Sequence, residues 1–279
     1  PQNRLKFIHI AGTNGKGSVL AYVSTILKEA GYRVGRYISP TLFSYRERIQ
    51  VNEEYISREA VGSYVEKIQL AIGRMQEKGM SVPTIFEVET AMAFLHFVDQ
   101  NCDIVVLETG MGGDTDATNV IRTTIMEVIV SISKDHTAFL GNTLAEIAGH
   151  KAGIIKPGTV VVSARQVPEA MNVIEEKARQ CGASLKVADW EQAEEITYGL
   201  EEQKFSFGSD RDICIHLGGS YQIKNAAIAL NCIYALRELG YQISDAQMRA
   251  GFAKTCWNGR FTVLQKEPMV IIDGAHNPD

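Results

Sequence analysis

Short apolar runs alternate with amphipathic segments along most of this chain, and that alternation leaves few folds open to it. Residues 5–11, 33–38, 104–107, 125–132 and 159–163 read as strands, rich in aliphatic side chains and bounded by turn residues. Between them lie helices with recognisable ends. Ser57 can cap a helix running to about Glu77, Thr143 with Glu146 forms a capping box ahead of Ile147, and Ser244 with Gln247 forms another. Pro168 suits the first turn of a helix that Gly182 closes, and a long helix from about Tyr221 to Leu239 runs into Gly240. Strands alternating with helices predict an α/β fold, a mostly parallel sheet covered on both faces. Residues 189–217 are more polar, with runs at 204–207 and 213–216 that predict a small antiparallel appendage on that sheet.

The first strand breaks into Gly12-Thr13-Asn14-Gly15-Lys16-Gly17-Ser18 and then feeds a helix. The glycines can turn backbone N–H groups toward one anion, Lys16 adds a positive charge, and the helix aims its positive end at the same spot. Val19, Leu20, Val23, Ile26, Leu27 and Ala30 share one helical face, and Gly31 stands where a C′ glycine belongs. Walker A spacing is not met: five residues before Gly15 stands Ile10, and Gly17 separates Lys16 from Ser18. On its residues alone the loop is either a nucleotide-phosphate cradle or a tight strand-to-helix turn.

A chain of 279 residues can bury one large core or two. Its net charge of −5 argues against a nucleic-acid surface, which concentrates Lys and Arg, and leaves small molecules as the expected partners. Cys102, Cys181, Cys214, Cys232 and Cys256 are scattered and never form a CxxC pair, so they read as core thiols in a reducing cytoplasm. No apolar run approaches ~18 residues and no basic-apolar leader opens the chain, so neither a membrane span nor an export signal is expected. The chain begins at Pro1 and stops at Asp279, directly after Asp273-Gly274-Ala275-His276-Asn277-Pro278, so further residues are expected at both ends.

Function is written at the strand ends. In open α/β sheets ligands collect outside the carboxyl ends of the strands. Here those ends carry the glycine loop, Ser39-Pro40, Glu108-Thr109-Gly110-Met111-Gly112-Gly113-Asp114 and Ser133-Lys134-Asp135-His136-Thr137. A carboxylate at the tip of a buried strand, as Glu108 would be, is costly without a cation, and magnesium with the Ser18 or Ser39 hydroxyl is a natural partner. Taken alone, His136 reads as a hydrogen-bonded structural histidine and Asp135 as a turn cap, while residues 110–113 are equally a flexible loop or a part of the site.

Taken together, residues 11–18, Ser39-Pro40, Glu108 through Asn119, Asp135-His136, Lys151-Ala152-Gly153-Ile154 and residues 273–278 closely resemble the folylpolyglutamate synthase and dihydrofolate synthase family of the Mur-ligase superfamily. The likeness runs essentially the whole length, and the glycine loop that misses Walker A spacing has the family's own form. The resemblance implies a P-loop-type central ATPase domain over residues 1–256. Residues 257–279 would be a linker and the start of a C-terminal Rossmann-like ligase domain, most of it lying beyond this chain.

It further implies an ATP-dependent ligase that joins L-glutamate to a folate, or to dihydropteroate, through an acyl phosphate. Gly12, Thr13, Asn14, Gly15, Lys16, Gly17 and Ser18 would hold ATP phosphates, with Asn225, Arg260, Asp273 and His276 completing the nucleotide site. Ser39, Glu108 and His136 would bind Mg²⁺, of which two ions are expected. Lys16, His136 and Lys151 form the implied catalytic set, with Lys151 carbamylated. Without the resemblance, Lys151 reads as an exposed helix lysine and Asn225 as a helix-surface amide. Three departures bear on substrate detail: Thr41 and Tyr221 where histidine is usual, and Asn258 where proline is usual. A monomer in the cytoplasm is expected. The alternatives are a peptidoglycan-precursor ligase of the same superfamily, a P-loop kinase or nucleotidase, and a non-catalytic nucleotide-binding module; the run Gly112-Gly113-Asp114-Thr115-Asp116-Ala117-Thr118-Asn119 favours the folate branch.

Overall fold

The computed structural model describes residues 1–275. Eight strands form one sheet in the order β4-β3-β2-β5-β1-β6-β7-β8. Its centre is β1 (Phe7–Ala11), flanked by β5 (Ile104–Glu108) and β6 (Thr124–Ile129), both parallel to it. Beyond them lie β2 (Val34–Tyr37) on one side, and β7 (Val160–Ala164) and β8 (Ser184–Ala188) on the other, also parallel. The expected strands at 5–11, 33–38, 104–107, 125–132 and 159–163 are all present within a few residues. Every residue of β1 and β5 is buried, as a strand covered on both faces must be.

Two helical layers cover the sheet. On one face α1 (Lys16–Glu29), α7 (Tyr221–Glu238) and α8 (Asp245–Lys254) pack over Ile8, Ile10, Val106, Met126 and Val128. On the other, α2 (Arg58–Glu77) and α3 (Ile85–Asp99) cover Phe7, Tyr37, Val105 and Leu107, while α5 (Leu144–Ala152) and α6 (Pro168–Cys181) cover Ile129 and Val161. Each fully buried aliphatic or aromatic side chain contributes about 1.5–3 kcal/mol, so these two layers supply most of the cohesion. The remaining helix, α4 (Thr137–Leu140), is a single turn.

The antiparallel appendage forms as expected from β9 (Ala193–Thr197), β10 (Gln203–Phe207) and β11 (Asp210–Ile215), and its Phe205, Phe207, Ile213 and Ile215 join the core beneath α7 and α8. A short antiparallel extension, β3 (Ile49–Val51) and β4 (Glu54–Tyr55), lengthens the β2 edge. The run at Met269–Ile272 is a strand, β13, but it pairs antiparallel with β12 (Thr262–Lys266) as a separate hairpin. Of the five cysteines only Cys102 and Cys232 are core thiols. Cys181 and Cys214 are half-buried and Cys256 is exposed, because it follows the last turn of α8. Among the described residues no helix is long and apolar enough to cross a membrane.

Candidate active site

Because β2, β5, β1 and β6 are parallel neighbours, the segments after their carboxyl ends converge on one edge of the sheet. The glycine loop lies at the middle of that edge, and the segment that follows β6 fixes it. Thr13 N–H donates to the Ser131 carbonyl (2.7 Å), the Ser131 hydroxyl donates to the Asn14 carbonyl (2.9 Å), and the Thr13 hydroxyl exchanges hydrogen bonds with the Ser133 backbone (3.1 Å). Gly15 caps α1 in the left-handed region at φ 93°, where a Cβ would also overlap Asn225 Oδ1. Asn225 is therefore a buried partner of the loop and not a surface amide. Its Nδ2 donates to Gln222 Oε1 (3.0 Å), and Gln222 Nε2 donates to the buried Ser18 hydroxyl (3.1 Å).

Two lysines meet at the Gly12 carbonyl. Lys16 Nζ donates to the carbonyls of Gly12 and Thr13, each at 3.2 Å, and lies 4.0 Å from Glu108 Oε1. Lys151 Nζ donates to the same Gly12 carbonyl at 2.8 Å and is 3 % exposed. It is thus no exposed helix lysine: it sits in the last turn of α5, turned inward beneath the loop. Burial, reinforced by the charge of Lys16 and opposed by Asp135, lowers its pKa to about 7, so a large fraction of the amine is neutral near neutral pH.

Glu108 is the buried counter-charge. Burial raises its pKa, and Lys16, the Ser39 N–H (3.4 Å from Oε2), Arg260 and Arg48 pull it back. The field of Arg260 thus reaches Glu108 from the linker, although its own hydrogen bond is to the Gly259 carbonyl (3.1 Å). Asp273 is tied to α7 by the Tyr221 hydroxyl, which donates to Oδ2 at 2.6 Å, and it also accepts the N–H groups of Phe261 (3.0 Å) and Ala275 (2.8 Å). Trp257 lies against Gly17 in the first turn of α1. His276 lies outside the described residues.

His136 stands apart from this cluster in its contacts. It caps α4 with a left-handed backbone (φ 49°), its ring is half-exposed 3.8 Å from the Asp135 carboxylate, and its N–H donates to Asp135 Oδ1 (2.8 Å). Among the described residues no three His, Cys, Asp or Glu side chains surround a common point. The Glu108 carboxylate is nonetheless a site that a hard cation fits, since it is buried, its charge is only partly offset, and a hydroxyl-bearing residue adjoins it.

Residues 110–113 are not a loose loop. Asp116 Oδ2 accepts the N–H groups of Gly110 and Met111, both at 2.9 Å. A Cβ on Gly113 would fall 2.7 Å from the His150 carbonyl and 3.0 Å from that of Lys151, so only glycine lets this loop abut α5. Sequence reasoning missed the anchoring role of Asp116 and the part of Gln222. The pattern Asp116-Ala117-Thr118, a carboxylate two residues ahead of a backbone N–H it can accept, was the available signal for the first.

With that geometry established, residues 10–233 match the Mur ligase middle domain family. The whole chain is 39 % identical to the dihydrofolate synthase/folylpolyglutamate synthase of Bacillus subtilis and 40 % identical to that of Mycobacterium tuberculosis, covering 66 % and 61 % of their lengths. Among solved structures, a complex of folylpolyglutamate synthase with AMPPCP and folate superposes on the whole chain with a TM-score of 0.94 at 34 % identity, over 69 % of its own length. The M. tuberculosis folylpolyglutamate synthase complexed with ADP and AMPPCP gives 0.92 at 38 % identity, over 99 % of this chain and 64 % of that one. The chain therefore spans about two thirds of the length of the relatives it matches.

Proposed function

The chain belongs to the folylpolyglutamate synthase and dihydrofolate synthase family of the Mur-ligase superfamily, and from that membership we propose that it is the ATP-handling part of a ligase adding L-glutamate to a folate or to dihydropteroate. The observation that carries the reading is the convergence of Lys16 and Lys151 on one loop carbonyl beside the buried Glu108. Such a site is built to receive a polyanion and to surrender lysine contacts to it.

In this reading Gly12 to Ser18 cradle the phosphates with backbone N–H groups and the start of α1. Lys16 leaves its loop carbonyls to neutralise charge as the terminal phosphoryl group moves to the acceptor carboxylate. Asn225, Arg260, Asp273 and His276 contact the nucleotide. Ser39, Glu108 and His136 would hold magnesium, whose charge would screen the phosphates against the approaching carboxylate. Lys151, as the neutral amine, adds to CO₂ and loses a proton, leaving a carbamate whose negative charge supports a second ion. The glutamate amine then displaces phosphate from the acyl phosphate. Residues 1–256 are the ATP-binding domain and 257–279 lead into the ligase domain. The enzyme works on small molecules, as a monomer in the cytoplasm, without nucleic acid or membrane.

An amide-ligation assay on the full-length protein, offering dihydropteroate and a reduced folate in parallel, tests this. Glutamate addition that requires ATP and magnesium, and that is lost in Glu108→Ala, is expected. ATP turnover indifferent to both acceptors would instead favour a kinase or nucleotidase.

A further inference from the structure

The segment joining Glu108 to the Lys151 turn is braced from inside the sheet. Asp116 gathers four donors: Gly110 N–H and Met111 N–H on Oδ2, and Thr118 N–H (2.9 Å) and the Thr118 hydroxyl (2.6 Å) on Oδ1. An ionised carboxylate only accepts, so the single Thr118 hydroxyl proton points at Asp116. Thr118 Oγ1 is left as an acceptor, and its other neighbour is His9 Nε2 at 2.8 Å. His9 must therefore carry its proton on Nε2. It lies in the middle of β1, fully buried, and burial with the nearby Lys156 lowers its pKa to about 3, so it stays a neutral donor; its Nδ1 has no hydrogen-bond partner among the described residues.

We propose that His9 is a positioning residue for the proposed ligation, acting through Thr118 and Asp116 to fix the loop that spans from Glu108 to Lys151. The inference rests on the reading of Glu108 and Lys151 as site residues. Its far end is concrete: past Met111 the loop closes on α5, where Asp114 N–H donates to the His150 carbonyl (2.9 Å) and Asn119 Nδ2 donates to the Gly153 carbonyl (3.2 Å). At Gly110 and Met111 themselves, the Asp116 carboxylate is the anchor that takes both backbone N–H groups. A neutral imidazole orients that carboxylate without offsetting its charge, whereas an imidazolium would offset it and carry a large desolvation cost in the core. A shift of ~1 Å in the loop would separate Glu108 from Lys151 enough to cost ~10²-fold in rate.

The test uses two pairs of variants in the full-length protein. Thr118→Ser and His9→Gln keep the hydroxyl and an Nε2 donor; Thr118→Val and His9→Leu remove them at similar volume. Amide hydrogen exchange at Gly110 and Met111 is read alongside kcat and KM for ATP. In Thr118→Val and His9→Leu we expect exchange at those two amides to accelerate at least ~10-fold, with kcat falling ~10- to 100-fold and KM nearly constant, while Thr118→Ser and His9→Gln stay close to wild type. Wild-type exchange and kcat in Thr118→Val would overturn the proposal, as would equal losses in both members of each pair, which would indicate packing alone. An inactive wild type would defeat the ligase reading, and the exchange comparison would still decide the role of His9.

Discussion

Lys151 carries a sharp tension between folding and function. An amine with an ordinary pKa of 10.5 in the unfolded chain is held near 7 in the folded one, chiefly by burial. Between those values the unfolded state binds the extra proton, so stability rises with pH across that window by about 1.4 kcal/mol per pH unit. Below pH 7 the folded chain bears the full cost of burying a charge. Lys151→Met keeps the volume and removes the titration. In CO₂-free buffer the variant should resist urea better than wild type at pH 6, the gap should close toward pH 10, and ligation should be lost. Parallel stability curves from pH 6 to 10 would show that the amine is solvated in solution and that its burial is misjudged.

Among the elements, α5 brings Lys151 to the loop, and its two ends do separate jobs. The amino end is held by the capping box, Thr143 Oγ1 accepting Glu146 N–H (3.2 Å) while Glu146 Oε2 accepts Thr143 N–H (3.0 Å). The carboxyl end is held by Asp114 N–H on the His150 carbonyl and by Asn119 on Gly153. Thr143→Ala should therefore cost about 1 kcal/mol, a Tm drop of roughly 2–4 °C for a chain of this size, and leave kcat of the folded enzyme unchanged. A matching fall in kcat would mean that the cap also sets the Lys151 turn. This box, and the caps at Ser57 and Ser244, were legible in the sequence because capping is local chemistry at fixed spacing. By contrast α3 went unread although Thr84 and Glu87 form a full box, because its sequence is apolar nearly all round and shows no helical period. The strand β8 was hidden for the opposite reason: it is an edge strand, with Ser184 and Val187 exposed and no continuous apolar run. At the site, spacing revealed the glycine loop and Glu108, which are contiguous with strands. The burial of Lys151 and Asn225 was invisible, since it comes from α5 and α7 docking on a loop that is 139 and 210 residues distant in sequence respectively.

On the scale of the whole molecule, the eight-stranded sheet and its two helical layers form a self-sufficient core, whereas the segment after Cys256 depends on little. The hairpin β12–β13 exposes Leu264, Met269, Val270, Ile271 and Ile272, and an isolated two-stranded hairpin is marginal in water. Its ties to the core include the Tyr221–Asp273 hydrogen bond and an ion pair between Lys266 and Glu201, the latter so exposed that solvent screens most of its attraction. Arg260 and Asp273 are nevertheless residues that the proposed mechanism takes from this segment, along with His276. Residues 1–279 alone should therefore fold, with slow amide exchange throughout β1, β5 and β6, yet exchange quickly from 262 to 272 and ligate glutamate far more slowly than the full-length enzyme. The decisive comparison is the ligation rate of the two forms beside the exchange map of the shorter one. Equal rates, or a hairpin as protected as the central sheet, would show that residues 257–275 are already fixed by the domain described here and that the rest of the full-length chain is not what orients them.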